Sequence, residues 1–527
     1  TLDRVLARLG AEGAYWIGYA VVEQRRLTVQ GTHGVGAGTV READRTLDVD
    51  VRVGSMELDN THKIRDASFF SDDSRPSWTV PLSGPASSME RALVRGTDDV
   101  FRAARARLLK VRANAAVKVE REDLSADFSP APPVVSEAAV PELPGGAAPI
   151  DVATWEALTA SLSGRYLAHD DIHDSAVQLV VTQARRWIVN TEGSRVADGR
   201  DHFRVATWAE TVAPDGMALS VYDYVDVASP DRLPGRAALE AMVDGVASRL
   251  LALRGAPLVE PWSGPAILRG RAAGVFFHEI FGHRVEGHRQ KDEDEGQTFT
   301  QKVGERILPP FLDVVDDPTL PDLAGEDLNG HYAIDDEGVR ARPVQLVDDG
   351  VLRTFLLGRS PVAGFAESNG HGRRQPGHAV VARQGNLVVS ASAALPYAAL
   401  RKRLLDEVRA QGKEFGLVFD DISGGFTFTG RSTPNSFVVQ PVTVWRVFAD
   451  GRPDQLVRGV DLIGTPLATF GRIVAAADDV DVFNGVCGAE SGWVPVSAVA
   501  PSLLVSEVEV QRREKGNDRP PLLPVPK

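Results

Sequence analysis

Residues 15–24 and 47–53 alternate apolar and polar positions, the pattern of strands with one buried face. Residues 88–119 change period: Leu93, Val100, Ala104, Leu108 and Val111 recur at helical spacing among many arginines, predicting a long amphipathic helix. The stretch SPAPPVVSEAAVPELPGGAAPID, residues 129–151, breaks both patterns. Its Pro, Ala and Gly content predicts an extended linker or insertion on the surface rather than a packed element. Beyond it, residues 152–168 read as helix, and residues 176–182, 187–191, 203–212 and 217–227 as strands. Residues 236–254 form a second strong helix, with Leu239, Met242, Val243, Val246, Leu250 and Leu251 on one stripe. From residue 257 a short apolar strand, 266–268, leads into one helix, and β-type segments punctuated by Gly and Pro follow.

These elements predict an α+β, multi-domain chain in which N-terminal α/β modules precede a β-rich C-terminal domain. The divisions fall at residues 1–128, the linker 129–151, a middle module 152–256, the β-rich part 257–515 and a tail 516–527. No repeat of fixed period runs through the chain. Its 527 residues exceed what one ordinary core organises, which agrees with several domains. A net charge of -14 disfavours a phosphate backbone as partner, so no nucleic acid is expected. No run of about 18 apolar residues is present, so no membrane span is expected either. The chain opens at Thr1 rather than Met, which implies a processed or trimmed start, and an export signal could have gone with it. One cysteine, Cys487, excludes an intrachain disulfide and points to a cytoplasmic location.

Candidate chemistry concentrates in RAAGVFFHEIFGHRVEGHRQ, residues 271–290. Neutral imidazoles coordinate zinc, and a carboxylate beside them can take a proton from water. The usual zinc-peptidase helix sets its histidines at i and i+4, on one face. Here His278 and His283 are five apart, roughly 140° around a regular helix at about 100° per residue. A metal site therefore requires a distorted helix, through a π-bulge or through loosening at Gly282. An unbroken helix would leave two core histidines with divergent neighbours. Glu286 and His288 read as groups that support the ligands or face solvent. Arg373 and Arg374 are either a surface basic pair or a grip on a peptide carboxylate.

Five blocks carry a wider resemblance: HEIFGHRVEG (278–287), AIDDEG (333–338), GHGRRQ (370–375), RGVDLIGTP (458–466) and GVCGAESGWVPVSAVAPSLLV (485–505). In this order, over about the last half of the chain, they resemble the TldD/PmbA metallopeptidases. The resemblance implies Zn2+ held by His278, His283 and Cys487, with Glu279 as the general base. It further implies a peptidase acting on unfolded or extended peptides. Its partner would be a second copy, as a homodimer, or a metal-free sister subunit, as a heterodimer. The stretch GHAVVARQGNLVV, residues 377–389, departs from the family pattern, and so does the N-terminal region.

A strand-rich C-terminal domain also suits binding of an extended peptide by strand addition. Other chemistries find little support. GVGAG, residues 34–38, lacks the GK[ST] of a phosphate loop, no G-x-S-x-G elbow is present, and one cysteine cannot form C-x-x-C. The competing class is a non-catalytic peptide-binding or modulator subunit, for which the metal residues would be dispensable.

Overall fold

The computed structural model describes residues 2–64, 76–115, 124–137, 149–292, 295–427, 429, 437–464 and 466–513. The alternation at 15–24 and 47–53 belongs to one long hairpin. Strands Ala14–Thr32 and Val35–Val53 pair antiparallel along nearly their whole length. Strand Ala14–Thr32 pairs on its other side with Asp174–Asn190, from Gly18 opposite Asn190 to Gly31 opposite Val177. Strands Arg195–Val212 and Ala218–Val227 extend the sheet to seven strands with the short edges Ser77–Thr79 and Val135–Glu137. Residues on both sides of the Pro-rich stretch thus share one sheet.

The two strands expected at 176–182 and 187–191 are a single strand, Asp174–Asn190. The polar break between them stays in the sheet because cross-strand partners meet it. Arg185 pairs with Asp201 at 2.8 Å and Arg186 with Asp198 at 2.6 Å. Helix Ala86–Ala115 packs Phe101, Ala104 and Leu108 on Leu47, Val49, Val51 and Val53. The final residues of the expected helix, 116–119, lie outside the described residues. Helices Val152–Ser163 and Arg236–Gly255 bury Trp155, Leu162, Leu239, Val243, Val246 and Leu250 on Val177, Leu179 and Phe203.

Of the expected surface linker, residues 129–137 are partly exposed: Pro130, Pro132, Pro133 and Val135 face solvent, but two residues are tied down. Ser129 and Val134 are buried. Arg359 donates to the Ser129 carbonyl from Nε (2.9 Å) and Nη2 (2.6 Å), while Ser129 N–H donates back to the Arg359 carbonyl. The Phe128 ring lies between two guanidiniums, Arg52 at 3.8 Å and Arg359 at 3.9 Å. Strand Val135–Glu137 then runs parallel to Arg195–Ala197. Few N–H donors suit a Pro-rich segment to an edge, and the buried arginine takes up the Ser129 carbonyl at its start. Residues 138–148 and the expected tail, 516–527, lie outside the described residues.

The C-terminal portion is β-rich, as the pattern from residue 257 predicted. A six-stranded sheet runs in the order Val351–Leu352, Val344–Asp348, Leu312–Asp316, Asn386–Ala391, Gly492–Ala500, Asp481–Ala489. An eight-stranded sheet contains Trp262–Leu268, Phe415–Thr427, Phe437–Phe448, Val460–Gly464 and Leu503–Arg512. Helix Gly270–Ile280 packs on strands of both sheets and buries every residue but Arg271. Such a helix is apolar nearly all round because it has no face left for water. Its Phe276 and Phe277 pack with Phe281 and Phe470, each fully buried ring contributing about 1.5–3 kcal/mol. Gly274 permits the close approach, since a Cβ there would lie 2.8 Å from the Ala498 carbonyl oxygen. Among the described residues, no helix is long and apolar enough to cross a membrane.

Candidate metal centre

The buried helix ends where the histidine spacing demands it. The last regular residue is Ile280, and Phe281 departs to φ -111°, ψ -55°. A 3-10 turn, Gly282–Val285, follows and carries His283. Of the two expected distortions, the chain uses the break at Gly282. A side chain has no room at this position: a Cβ on Gly282 would stand 1.8 Å from Oε1 of buried Gln384. The His278 and His283 rings consequently meet, with centroids 5.0 Å apart and planes at 75°.

The third side chain comes from the hairpin of Asp481–Ala489 and Gly492–Ala500, which closes through a two-residue turn with Ala489 opposite Gly492. Residues 483, 485, 487 and 489 share one face of this strand. Cys487 therefore points inward with Val494 and Val496, while Val486 and Trp493 are exposed on the opposite face. The Sγ of Cys487 lies 3.2 Å from Nε2 of His278 and 3.3 Å from Nε2 of His283. All three ligand atoms fall within 4.8 Å of one another. A tetrahedral zinc ion spaces sulfur and nitrogen donors roughly 3.5 Å apart, so the donor set fits with shifts of a few tenths of an ångström.

The electrostatics point the same way. Burial opposes charge on all three groups, yet His283 and His278 hold the Cys487 thiol well below its ordinary value. In return the thiolate raises both imidazoles against the desolvation that would lower them. The three groups are thus mutually coupled, and the cluster offers a thiolate to a cation. Nδ1 of His278 is buried without a hydrogen-bond partner. Glu279, also buried, has its carboxyl pushed up by burial and pulled back by His278 and His283.

Around the donors stands a buried ionic network. Glu286 is fully buried and accepts from Nδ1 of His283 (3.2 Å) and Nε of Arg289 (2.9 Å). Its other oxygen faces Nε of Arg383 at 3.2 Å. Burial would raise the Glu286 carboxyl, but His283, Arg289 and Arg383 hold it well below the usual carboxylate range. Glu490, in the hairpin turn, pairs with His288 and with Nη2 of Arg289, the latter at 2.9 Å. His288 is therefore a support for the hairpin turn rather than a solvent-facing group.

Neither Arg373 nor Arg374 is the surface basic pair expected as one alternative. Arg373 is buried over the Tyr332 ring and donates to the Gln384 carbonyl at 2.6 Å. Arg374 pairs with Asp48 at 3.2 Å. The GHGRRQ block instead frames the segment that follows it. His371 bonds Asp316 at 3.1 Å, Asp316 accepts the Gly385 N–H, and the His371 carbonyl accepts the Arg383 N–H. Arg383 and Gln384 were missed as site residues. The signal was available: a charged residue directly after the apolar run Val380, Val381 and Ala382 is expected to be buried with a partner. For Glu490, in a turn, the sequence carries no comparable signal.

A buried histidine, histidine and cysteine set thus stands beside a glutamate, where a helix packs between two sheets, with donor atoms placed so that they could hold a metal ion. Residues 262–512 match the PmbA/TldA metallopeptidase C-terminal domain. Over that segment the chain is similar to the TldD/PmbA metallopeptidases. It is 30% identical over 257 residues to a metalloprotease TldD homolog of Haemophilus influenzae, covering 47% of this chain and 48% of that protein. It is 21% identical over 254 residues to a zinc metalloprotease TldD homolog of Saccharolobus solfataricus, covering 47% and 51%. The match thus spans about half the length of these curated relatives. Two solved structures share the fold over nearly the whole chain. One is a candidate modulator of a DNA gyrase from Thermotoga maritima, with TM-score 0.62, 17% identity and coverage of 96% and 98%. The other is TldE from Thermococcus kodakarensis, with TM-score 0.60, 14% identity and coverage of 97% and 100%.

Proposed function

We propose that this chain is a zinc-dependent peptidase of the TldD type, acting on unfolded or extended peptides, with zinc on His278, His283 and Cys487 and Glu279 as general base. The observation that carries the reading is the meeting of three buried donors from two separate elements, with a buried carboxyl beside them. Three protein ligands leave a fourth position open, the arrangement of catalytic rather than structural zinc. Zinc, rather than a harder cation, suits a thiolate and two imidazoles, and one relative bears the name zinc metalloprotease. When bound, zinc supplies a Lewis acid that polarises a carbonyl and acidifies water.

The protein's own residues supply the rest. Glu279 takes a proton from the attacking water and returns it to the leaving amine. Strand Asp481–Ala489 is at the edge of its sheet and carries Cys487, so a peptide added there as a further strand runs past the ligand. Recognition of this kind uses backbone more than side chains and favours extended chains over folded ones. We further propose that the enzyme works in the cytoplasm as a dimer, with a second copy or with a metal-free sister resembling TldE.

Metal analysis of the purified protein is expected to find about one zinc per chain, with hydrolysis of an unstructured peptide abolished by a chelator. Glu279→Ala is expected to keep the zinc and lose hydrolysis. Full hydrolysis by that variant refutes the role of Glu279. Peptide binding that persists without His278, His283 and Cys487, in a protein with no hydrolytic activity, supports a modulator subunit instead.

A further inference from the structure

We propose that Glu286 and Arg383 act as one positioning pair that holds His283 and Cys487 in register for the metal; the proposal rests on the zinc-centre reading above. The two ligands belong to elements 204 residues apart in the chain, and a continuous bridge of buried groups connects them. His283 donates from Nδ1 to Glu286, which turns its Nε2 towards Cys487. The second oxygen of Glu286 faces Nε of Arg383 at 3.2 Å. Nη2 of Arg383 donates to the Cys487 carbonyl at 2.9 Å. Its Nη1 donates to Ser491 Oγ at 2.8 Å and to the Gly492 carbonyl at 3.2 Å, within the hairpin that carries Cys487.

Both members of the pair are fully buried. Burial of a carboxylate and a guanidinium is expensive, and an apolar pair of similar size commonly serves stability as well or better. What they touch at each end gives that cost a use. The fork of arginine donates to three acceptors on three residues of the hairpin while its Nε side pairs ionically with Glu286, a geometry that a lysine ammonium cannot reproduce. The neighbouring Gln384 reaches the His278 carbonyl at 3.4 Å, so the Arg383–Gln384 dipeptide touches the backbone of both remaining ligands.

Zinc affinity of the full-length protein, measured by competition with a chromophoric chelator, tests the pair through Glu286→Gln, Arg383→Met and the double variant. Thermal melting of each metal-free protein first verifies that it folds. Each single variant is expected to bind zinc roughly 10–100-fold more weakly. The double variant is expected to bind no more weakly than the worse single. Cobalt-loaded variants are expected to show an altered thiolate-to-metal charge-transfer band, which a purely structural role would leave unchanged. If Arg383→Met fails to fold, Arg383→Lys is read in the same way and is expected to remain impaired. Folded variants with parental affinity and parental cobalt spectra overturn the proposal, as does a double variant whose loss is the product of the single losses. A parent that takes up neither zinc nor cobalt overturns the zinc-centre reading itself.

Discussion

Gly282→Ala puts a methyl carbon where Gln384 already stands, 1.8 Å from Oε1, 2.2 Å from Cδ and 2.6 Å from Nε2. Gln384 is 1% exposed, so its amide has no solvent to retreat into, and either it or the 3-10 turn must shift. Overpacking a close-packed interior costs about 1–3 kcal/mol. The turn carries His283, and the displaced amide reaches the His278 carbonyl, so the strain falls on the candidate metal centre. If it is all expressed there, zinc binding weakens roughly 5–150-fold. Chelator competition on the purified variant reads that loss, and a companion Gln384→Ala removes the obstructing amide. The double variant is expected to recover part of the affinity, a coupling of about 0.5–3 kcal/mol between touching residues. Parental affinity in Gly282→Ala, or strictly additive losses in the double variant, would refute the steric account of the broken helix.

Stripping zinc is expected to lower the melting temperature, since a ligand held at about 100 times its Kd stabilises the native state by about 2.7 kcal/mol; an unchanged melt with and without chelator contradicts this. Arg359→Met removes the guanidinium from the Ser129 carbonyl and from Glu192, which keeps Trp16 and Ala131 as donors. Breaking such a pair costs about 3–5 kcal/mol, and hydrogen exchange at residues 128–137 is expected to accelerate; parental protection there counts against the clamp. Asp226→Asn tests a pH dependence. Burial raises this carboxyl, but the fork of Arg204 (2.7 and 2.6 Å) and His202 outweigh it and lower its pKa. A depressed native pKa gives stability that is present above the unfolded value of about 3.9 and lost as pH falls through the lower native one. Asp226→Asn is therefore expected to be less stable than the parent at pH 7, with the gap closing below about pH 4; a gap constant with pH opposes the assignment.

Much of the architecture was written in periodicity. The stripe at Leu239, Val243, Val246 and Leu250 is a buried helix face, and the strands after residue 257 are strands. What periodicity could not convey was long-range pairing. The junction of Ala14–Thr32 with Asp174–Asn190 joins segments some 160 residues apart, and nothing local announces it. Polar runs misled in one direction, since Gln183–Arg186 stays in a strand only because Asp198 and Asp201 wait opposite. Proline misled in another, because Ser129 is held by an arginine more than 200 residues further on and Val134 is buried among Ala20, Ile188, Val196 and Ile334. At the candidate site, the awkward spacing of His278 and His283 was itself informative: it demanded a broken helix, and the helix ends at Ile280. Glu286 was legible only as a group that supports the ligands or faces solvent, whereas Arg383 depended on a pairing between chain segments that no motif records.

The distance along the chain between the two halves of the centre also has a meaning in time. Cys487 is laid down 204 residues after His283. At about 5–20 residues per second, a ribosome needs roughly 10–40 s to cover that interval. Throughout it, the nascent polypeptide carries its histidines and glutamate with no thiolate to complete the set. On the peptidase reading, an enzyme that attacks unfolded chains is thereby kept inert while it is itself unfolded. Cleavage competence arrives only once the last hairpin has closed over the helix.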